Sequence, residues 1–165
     1  MSADFCIRAM KPNDTDQVKE IIDLSFSRFM GLFAFISVRD EEGETIVAEA
    51  QGTVVGFTKL IDFKIAGIKY GCILWIAVHP EFRRKGFANA LTTEGIKRLK
   101  LAGAKCLFAS VQRRKIGPQI VLTQNGFRRA RFLELWHLFG SRVLQFYGDI
   151  WLAPGEVVLI RSSEC

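Results

Sequence analysis

The sequence predicts one α/β domain over residues 1–165, in which a mixed sheet surrounds a central strand–turn–helix unit. Its 165 residues, 49% of them hydrophobic and 24% charged, suit a globular chain with one buried core. Strand-type and helix-type periodicities alternate along the chain without a repeat, linker or low-complexity tract. The most continuous apolar strand runs directly into a glycine turn and an amphipathic helix, which indicates that this unit is central.

The first quarter of the chain predicts a strand followed by helical structure. Residues 4–10 alternate between polar and apolar side chains, as a strand does. Asp14, followed three residues later by Gln17, resembles a capping box, and apolar residues at helical spacing extend the predicted helix over about 15–26. Residues 27–38 are ambiguous between a second short helix and an aromatic loop.

Three strands are predicted next. Residues 44–65 form two β-branched runs that meet at Gln51-Gly52, which is typical of a hairpin. Residues 68–80 are apolar almost without interruption, so we expect this strand in the centre of the sheet, and Pro80 ends it.

A helix is predicted after Gly86. Its apolar face follows steps of three or four residues through Ala88, Leu91, Gly95, Leu99 and Ala102. Cations in its last turn and Gly103 beyond it match the preferences of a helix C-terminus. A buried strand at 104–111 and a short helix at about 117–125 are expected to follow.

The C-terminal region has two interpretations. Residues 127–140 and 155–162 are predicted as closing strands. Residues 132–147 also fit a helical period, through Phe132, Trp136, Phe139 and Val143, so a helix is the alternative there.

Composition argues against several classes of protein. No apolar run reaches the roughly 18 residues of a membrane span, and residues 1–11 lack the apolar centre of a signal peptide. The four cysteines are far apart and form no CxxC pair, so we expect three buried side chains and one tail thiol rather than a metal site or disulfides; they are Cys6, Cys72, Cys106 and Cys165. The expected location is the cytoplasm, as a monomer or a homodimer.

Charge is unevenly distributed along a chain whose net charge is +6. Residues 1–50 hold 10 acidic side chains and 5 lysines or arginines, whereas residues 83–131 hold 13 lysines or arginines and one acid, Glu94. This asymmetry predicts that the second half of the chain meets an anionic partner.

The densest group of cations stands where the central helix begins. Arg83, Arg84 and Lys85 directly precede Gly86. A helix N-terminus already carries partial positive charge and unpaired N–H groups, so three further cations are unfavourable there unless an anion binds. Backbone amides over residues 84–88 would converge on phosphate groups, and a pyrophosphate is the anion that we expect.

The run VHPEFRRKGFANAL resembles motif A of the GNAT superfamily of acyl-CoA N-acyltransferases, through Arg83, Gly86 and Ala88. Spacing from Val111 to a terminal Gly-Phe at 126–127 also resembles the family. The segment FYG followed by GEVVLIR resembles the end of N-terminal α-amino acetyltransferases of the ribosomal-protein type. The resemblance implies a mostly antiparallel sheet of about six or seven strands, a splayed central strand and about four helices.

The resemblance also implies which residues bind coenzyme A. Backbone groups around Ile76, Ala77 and Val78 would hold the pantetheine arm. The pyrophosphate would be held by the loop and helix start, which are Arg83, Arg84, Lys85, Gly86, Phe87 and Ala88. Lys115 stands where the family usually has Asn, at the mouth of the site. Acetyl-CoA is therefore the expected cosubstrate, and no metal is expected, because two histidines without clustered carboxylates make a poor metal site.

Three further positions depart from the family pattern. The usual tyrosine acid, four residues before Gly126, is Leu122, and the glutamate that often precedes the fifth-strand valine is Ser110. Pro118 replaces the usual alanine. Tyr147 is the remaining candidate for a catalytic hydroxyl, with ring packing as the equal alternative.

Other polar and aromatic residues are expected to be mainly structural. Asp149 and Glu134 are candidate bases, but surface or strand-pair roles are favoured for both. His79 precedes Pro80 and is expected as a turn residue, and His137 as a half-buried histidine. The phenylalanines of residues 27–38 are expected in the core rather than against substrate.

Three functions compete. The first is transfer of an acetyl or short acyl group to an amine, either a small molecule or a protein N-terminus. The second is a non-catalytic acyl-CoA-binding module, which Leu122 and Ser110 favour. The third is binding to nucleic acid or the ribosome through basic clusters at 113–115 and 128–131, although aromatic stacking residues are not interleaved there.

Overall fold

The computed structural model describes residues 5–162 of the chain. Its strands are β1 (Phe5–Ala9), β2 (Glu44–Ala50), β3 (Thr53–Ile65), β4 (Ile68–Val78), β5 (Cys106–Gln112), β6 (Arg128–Arg129) and β7 (Glu156–Ser162). Its α-helices are α1 (Thr15–Ser25), α2 (Arg28–Arg39), α3 (Phe87–Leu101), α4 (Ile116–Gln124), α5 (Phe132–Phe139) and α6 (Val143–Asp149).

The seven strands form one sheet in the order β1-β2-β3-β4-β5-β7-β6. Antiparallel pairs join β1 to β2, β2 to β3, β5 to β7 and β6 to β7, whereas β4 and β5 pair in parallel. The parallel register runs from Tyr70–Cys106 to Ile73–Ala109. A mixed, mostly antiparallel sheet flanked by helices confirms the predicted fold class.

Most predicted elements are confirmed within a few residues. The ambiguous segment 27–38 is helix α2, whose N-cap Ser27 accepts a hydrogen bond from the Met30 amide at 3.4 Å. The strand predicted at 127–140 is wrong beyond the two residues of β6. The helical alternative holds there, because α5 and α6 turn apolar side chains at helical spacing toward a core.

The chain packs as two compact units. The first comprises the described residues up to Leu60 together with Trp75–Gly95. Close packing of β3 and β4 against α3 is visible at Gly56, where a Cβ would lie 3.0 Å from the Ala77 carbonyl oxygen and 3.1 Å from Leu91. A glycine at this position is therefore required for the two strands and the helix to approach.

The second unit comprises Ile61–Leu74 and the described residues from Ile96 onward. Four aromatic side chains lie in its buried core cluster. Phe108 and Phe139 both pack against Phe146, with ring centroids 4.7 and 4.5 Å away, and Tyr70 packs edge-on against Phe139. Burial of this cluster is what holds α5 and α6 against the sheet. The prediction of a single domain over residues 1–165 stays a prediction.

The cysteines depart from expectation. Cys72 is buried as expected, whereas Cys6 is exposed. Cys106 is buried but disulfide-bonded, so the expectation that the chain forms no disulfide was wrong. Sequence spacing does not report which cysteines a fold brings within bonding distance. Cys165 lies outside the described residues.

None of the helices within residues 5–162 combines the length and apolar character that crossing a membrane would require.

Candidate active site

The end of β4 is held by hydrogen bonds to β3 and by a capped turn. The His79 amide donates to the Val55 carbonyl at 2.8 Å. A short 3-10 turn then covers Pro80–Phe82, and the His79 Nδ1 accepts from the Glu81 amide at 3.3 Å. His79 therefore caps a turn, in agreement with the structural role expected for it.

Arg83 links the loop between β4 and α3 to two neighbouring elements. Its Nε donates to the Val78 carbonyl at 3.0 Å, and its Nη2 donates to the Ser25 hydroxyl at the end of α1 at 3.2 Å. The guanidinium thus joins the loop to the last residue of β4 and to a helix. Arg83 was expected to supply positive potential to an anion, and these bonds give it a positioning role as well.

The next residues adopt left-handed backbone conformations. Arg84 has φ +61° and Gly86 has φ +89°. A non-glycine residue in this region costs of order 1 kcal/mol or more, and such residues concentrate at ligand clamps. In proteins, alternating left- and right-handed residues turn successive N–H groups toward one side and form an anion-binding concavity, and the left-handed Arg84 and Gly86 suit such a concavity here.

Helix α3 starts directly from this concavity. The Gly86 carbonyl accepts the first helical hydrogen bond, from the Ala90 amide at 3.0 Å. The N–H groups of the first turn have no acceptor within the helix, and they face outward from its N-terminus. A Cβ on Gly86 would meet nothing within 4 Å, so open space lies beside this residue at the start of α3.

Two aromatic contacts hold the helix start. Phe87 is buried and packs edge-on against Phe5, with ring centroids 5.1 Å apart, and against Phe82 at 6.4 Å. The Lys85 ammonium lies 5.0 Å from the Phe82 ring centroid. Arg84 and Lys85 are exposed. The structure therefore brings together all the predicted pyrophosphate-binding residues, from Arg83 to Ala88, in one turn with a buried anchor.

Alternation along β4 separates the three predicted pantetheine residues. The His79 amide points toward β3, and the Trp75 carbonyl accepts from the Thr58 hydroxyl of β3 at 2.7 Å. Successive residues of a strand turn their N–H and C=O groups to opposite edges. The groups of Ala77 therefore also point toward β3, whereas those of Ile76 and Val78 point away from it and suit a ligand.

Trp75 carries a buried donor that sequence reasoning missed. Its side chain is 7% exposed and packs edge-on against Phe26, with ring centroids 5.5 Å apart. Within the described residues the indole Nε1 has no hydrogen-bond partner. The apolar run of β4 gave no signal of this unpaired N–H.

Tyr147 and Lys115 lie in the second unit. Tyr147 is half-buried in α6, packs against the aromatic core beside Phe146, and its hydroxyl makes no hydrogen bond within residues 5–162. Lys115 is the N-cap of α4, and its carbonyl accepts from the Gln119 side chain at 3.1 Å. A lysine at a helix N-terminus again favours an anion nearby.

Three of the other candidates can now be assigned. Glu134 forms an ion pair with Arg128, which holds the pKa of that carboxyl below its usual range and leaves a weak base. His137 is exposed rather than half-buried, and its Nδ1 lies 2.6 Å from the Leu133 carbonyl oxygen. Leu122 is fully buried, so the position where the family has a tyrosine faces the core here.

The aromatic face of α2 is not in the core. Phe29 is 68% exposed, and Leu32, Phe33 and Ile36 are also exposed. The expectation that these phenylalanines lie in the core was wrong for Phe29 and Phe33, because α2 buries its opposite face through Met30, Ala34 and Val38. Phe35 is half-buried.

Glu156 is a further residue that sequence reasoning missed. It is the first residue of β7, and burial raises the pKa of its carboxyl above the usual range. No group of three or more His, Cys, Asp or Glu side chains within the described residues is placed to hold a metal ion.

Solved structures share this fold at low sequence identity. PaiA N-acetyltransferase from Thermoplasma acidophilum in complex with coenzyme A matches with a TM-score of 0.68 and 17% identity, over 98% of this chain and 99% of that chain. The ribosomal-protein-S18-alanine N-acetyltransferase from Escherichia coli matches with a TM-score of 0.66 and 17% identity, over 95% and 92%. The NatC complex bound to Gag peptide and CoA matches with a TM-score of 0.72 and 14% identity, over 96% and 98%.

Sequence comparison agrees with the fold. A search of the curated proteins finds no match. The family model of an acetyltransferase (GNAT) domain matches residues 6–112, which is more than half of the chain and includes the β4–loop–α3 concavity. The chain belongs to the GNAT acetyltransferase family.

Proposed function

We propose that the chain transfers an acetyl or another short acyl group from acyl-CoA to an amine within a ternary complex. The observation that carries this proposal is the concavity between β4 and α3, with Arg84 and Gly86 in left-handed conformations and three cations beside it. Two solved structures of the same fold, PaiA N-acetyltransferase and the NatC complex, contain coenzyme A, which supports the proposal.

The residues present fit a pyrophosphate. Open space in front of Gly86 leaves room for phosphate oxygens, and the first-turn amides of α3 supply donors. Arg84 and Lys85 supply positive charge, while Arg83 holds the loop through Val78 and Ser25. In this proposal, the N–H and C=O groups of Ile76 and the N–H of Val78 bind the pantetheine arm. The backbone groups of Ala77 point toward β3, so Ala77 only spaces Ile76 and Val78 along β4.

The proposed acyl transfer needs little help from a general acid. A thiol has a pKa near ~8.5, so a thiolate leaves at pH 7–8 with little help from protonation. Holding amine and thioester together can supply about 7–11 kcal/mol of the barrier, and oriented backbone donors about 3 kcal/mol more. Loss of the usual tyrosine at Leu122 is therefore compatible with turnover. Tyr147 is proposed to donate a hydrogen bond to the departing sulfur or to the amine.

An α-amine is the acceptor that we propose to test first. Deprotonation at pH 7 costs about 1 kcal/mol for an α-amine of pKa ~7.8 and about 4.6 kcal/mol for a lysine of pKa ~10.4. The candidate site lacks the family's usual catalytic base, so the acceptor that loses its proton more easily, the α-amine, suits it better than lysine does. One neighbour of the same fold is a ribosomal-protein-S18-alanine N-acetyltransferase and another is bound to a peptide, which supports a peptide or protein acceptor.

A second candidate is an acyl-CoA-binding module without turnover. Full burial of Leu122 favours it, because the position that carries the family's acid has no access to substrate here. The acceptor would then be absent, and binding of acyl-CoA would be the whole function.

Two measurements test the proposal. Calorimetry with acetyl-CoA measures binding to the chain, and release of free coenzyme A thiol is followed with α-amino peptides, lysine peptides and polyamines as acceptors. Binding with turnover of at least one amine supports the transferase. Binding without turnover across all three acceptor classes supports the binding module. Failure to bind acetyl-CoA at millimolar concentration would refute both.

A further inference from the structure

Helix α2 has one apolar face in the fold and a second one in solvent. On the buried face the packing is close, since a Cβ added to Gly31 would lie 3.3 Å from the Ile22 side chain of α1. The exposed residues of α2 are four apolar side chains and two arginines: Arg28, Phe29, Leu32, Phe33, Ile36 and Arg39. A surface helix ordinarily turns polar and charged residues to solvent, so this face has the composition of a contact surface.

The four exposed apolar residues follow the spacing of a helix–helix contact. They lie at positions i, i+3, i+4 and i+7, and we call them the α2 stripe: Phe29, Leu32, Phe33 and Ile36. The rings of Phe29 and Phe33 pack edge-on, with centroids 4.9 Å apart, so they already form one apolar surface. This spacing is that of the seam by which one helix packs against another.

Charge is ordered along α2 and the residues that follow it. Arg28 is the first residue of the helix, and Arg39 is the last. Three exposed acids come directly after Arg39, at residues 40–42, so that end carries one positive and three negative charges, a net charge of −2. The N-terminal end of the exposed face is therefore positive, and the C-terminal end is negative.

Two copies of α2 packed antiparallel satisfy both the apolar and the charge pattern. When Leu32 of one copy lies opposite Phe33 of the other, Phe29 lies opposite Ile36, and each stripe covers the other. At a rise of about 1.5 Å per residue, Arg28 and Asp40 of the second copy are then only about 4.5 Å apart along the helix axis, within reach of an arginine side chain.

The opposite orientation of the two helices is unfavourable. Parallel packing would place Arg28 beside Arg28 of the second copy, and the acids of residues 40–42 beside the same acids. Charge therefore selects the antiparallel arrangement, which is the one that a two-fold axis perpendicular to the helices produces.

Other occupants match this face less well. The phosphate groups of an anionic lipid surface or of a nucleic acid would meet the exposed acids of residues 40–42, and like charges repel. An acidic peptide would meet the same carboxylates. A matching partner carries an apolar stripe together with both signs of charge in the reverse order, and a second copy of α2 meets both requirements.

We propose that the α2 stripe is a self-association surface through which two copies of this chain form a symmetric dimer with antiparallel α2 helices. The dimer is independent of the acyl transfer proposed above, because none of the stripe residues belongs to the candidate acyl-CoA site. The exposed face of α2 has six residues, whereas a standard interface uses about 20–30 residues a side. We therefore expect a weak dimer whose population rises with protein concentration.

Sedimentation velocity of the full chain, from low micromolar to several hundred micromolar, measures the association. Leu32→Glu places a carboxylate at the centre of the contact. Leu144→Glu is the matched control, since Leu144 is an exposed leucine of another helix, α6. We expect the wild type and Leu144→Glu to dimerise equally. Leu32→Glu should raise the dimer Kd by about 10-fold or more, as loss of a central apolar contact does, with an unchanged circular dichroism spectrum.

A charge exchange tests the antiparallel order. Arg28→Glu and Glu41→Arg should each weaken the dimer several-fold, because each places like charges at both equivalent ends of the contact. An equimolar mixture of the two variants should associate as the wild type does. In the mixed dimer residues 28 and 41 of the two chains again carry opposite charges at both ends.

Four results would overturn the proposal. The first is a wild-type chain that stays monomeric at every concentration. The second is an unchanged Kd in folded Leu32→Glu, or an equal loss in Leu144→Glu, since either would place the contact elsewhere. The third is a mixture of the charge variants that associates no better than each variant alone. The fourth is a monomer that binds phosphatidylserine vesicles and loses this binding in Leu32→Glu, which would assign the stripe to a lipid surface.

Discussion

Replacing Gly86 tests the anion cradle directly. A valine there places a branched side chain beside the start of α3, where no protein atom lies within 4 Å of the new Cβ. Because this space is free around the Cβ, we expect the surrounding fold to stay in place. Apart from its cost in backbone conformation, the substitution should therefore affect only the bound ligand.

The magnitude has two parts. A Cβ at φ +89° costs about 1–2 kcal/mol of stability, because the left-handed region disfavours L side chains. Affinity for the ligand falls separately, because the valine side chain prevents phosphate oxygens from reaching the amides of Gly86 and Phe87. Each hydrogen bond to a charged group contributes about 1.5–3 kcal/mol, so losing two costs about 3–6 kcal/mol. This corresponds to a roughly 100-fold or larger rise in Kd.

Gly52→Val is the matched control. Gly52 lies in the β2–β3 turn with φ +77°, and a Cβ there also meets nothing within 4 Å. Both variants should lose similar stability in thermal unfolding, and only Gly86→Val should lose affinity for acetyl-CoA in calorimetry. Unchanged affinity in folded Gly86→Val, or equal losses of affinity in both variants, would refute the cradle assignment.

Three further predictions concern other parts of the chain. Lys115→Ala should raise the KM for one substrate by several-fold with a modest change in kcat; a change in thermal stability alone would make Lys115 structural. Tyr147→Phe should lower kcat by roughly 10- to 100-fold with the fold intact, the low end of general-acid effects, and equal turnover would remove the hydroxyl from the mechanism. Asp14→Asn should lower the free energy of unfolding by about 2 kcal/mol, since this buried carboxylate accepts from Arg8 at 2.7 and 3.0 Å and from the Lys11 amide at 2.7 Å. Because these bonds lower the pKa of Asp14, its contribution is present above the unfolded pKa and is lost as pH falls through the folded pKa. Melts of wild type and Asp14→Asn should therefore converge at low pH, and a constant difference at all pH values would contradict this.

Local periodicity determined most elements. Helix α3 follows from apolar residues at steps of three and four between Gly86 and Gly103, and the β2–β3 hairpin follows from two β-branched runs around Gln51-Gly52. These patterns depend on neighbours in the chain, so the sequence alone carries them. The turn that begins α3 is of the same kind, since glycine and the cation triplet are adjacent residues.

Residues 132–147 show where local pattern was insufficient. Their apolar side chains fit both a strand and a helix, and the aromatic core formed by Phe108, Phe139 and Phe146 decided for helices α5 and α6. Packing in the folded chain also decides which face of α2 is exposed. A helix that is apolar on nearly all sides does not indicate in advance which side packs, and Phe29 is exposed because Met30 and Ala34 face the core.

The candidate site likewise has one part that the sequence predicted and one part that it did not. The turn before α3 and its three cations were predictable, because they come from one continuous run of residues. The half-buried position of Glu156 was not, because it depends on the pairing of β5 with β7. A glutamate at the start of a strand is ordinary in sequence. Its raised pKa arises from desolvation by groups distant in the chain, and desolvation is a property of the folded molecule alone.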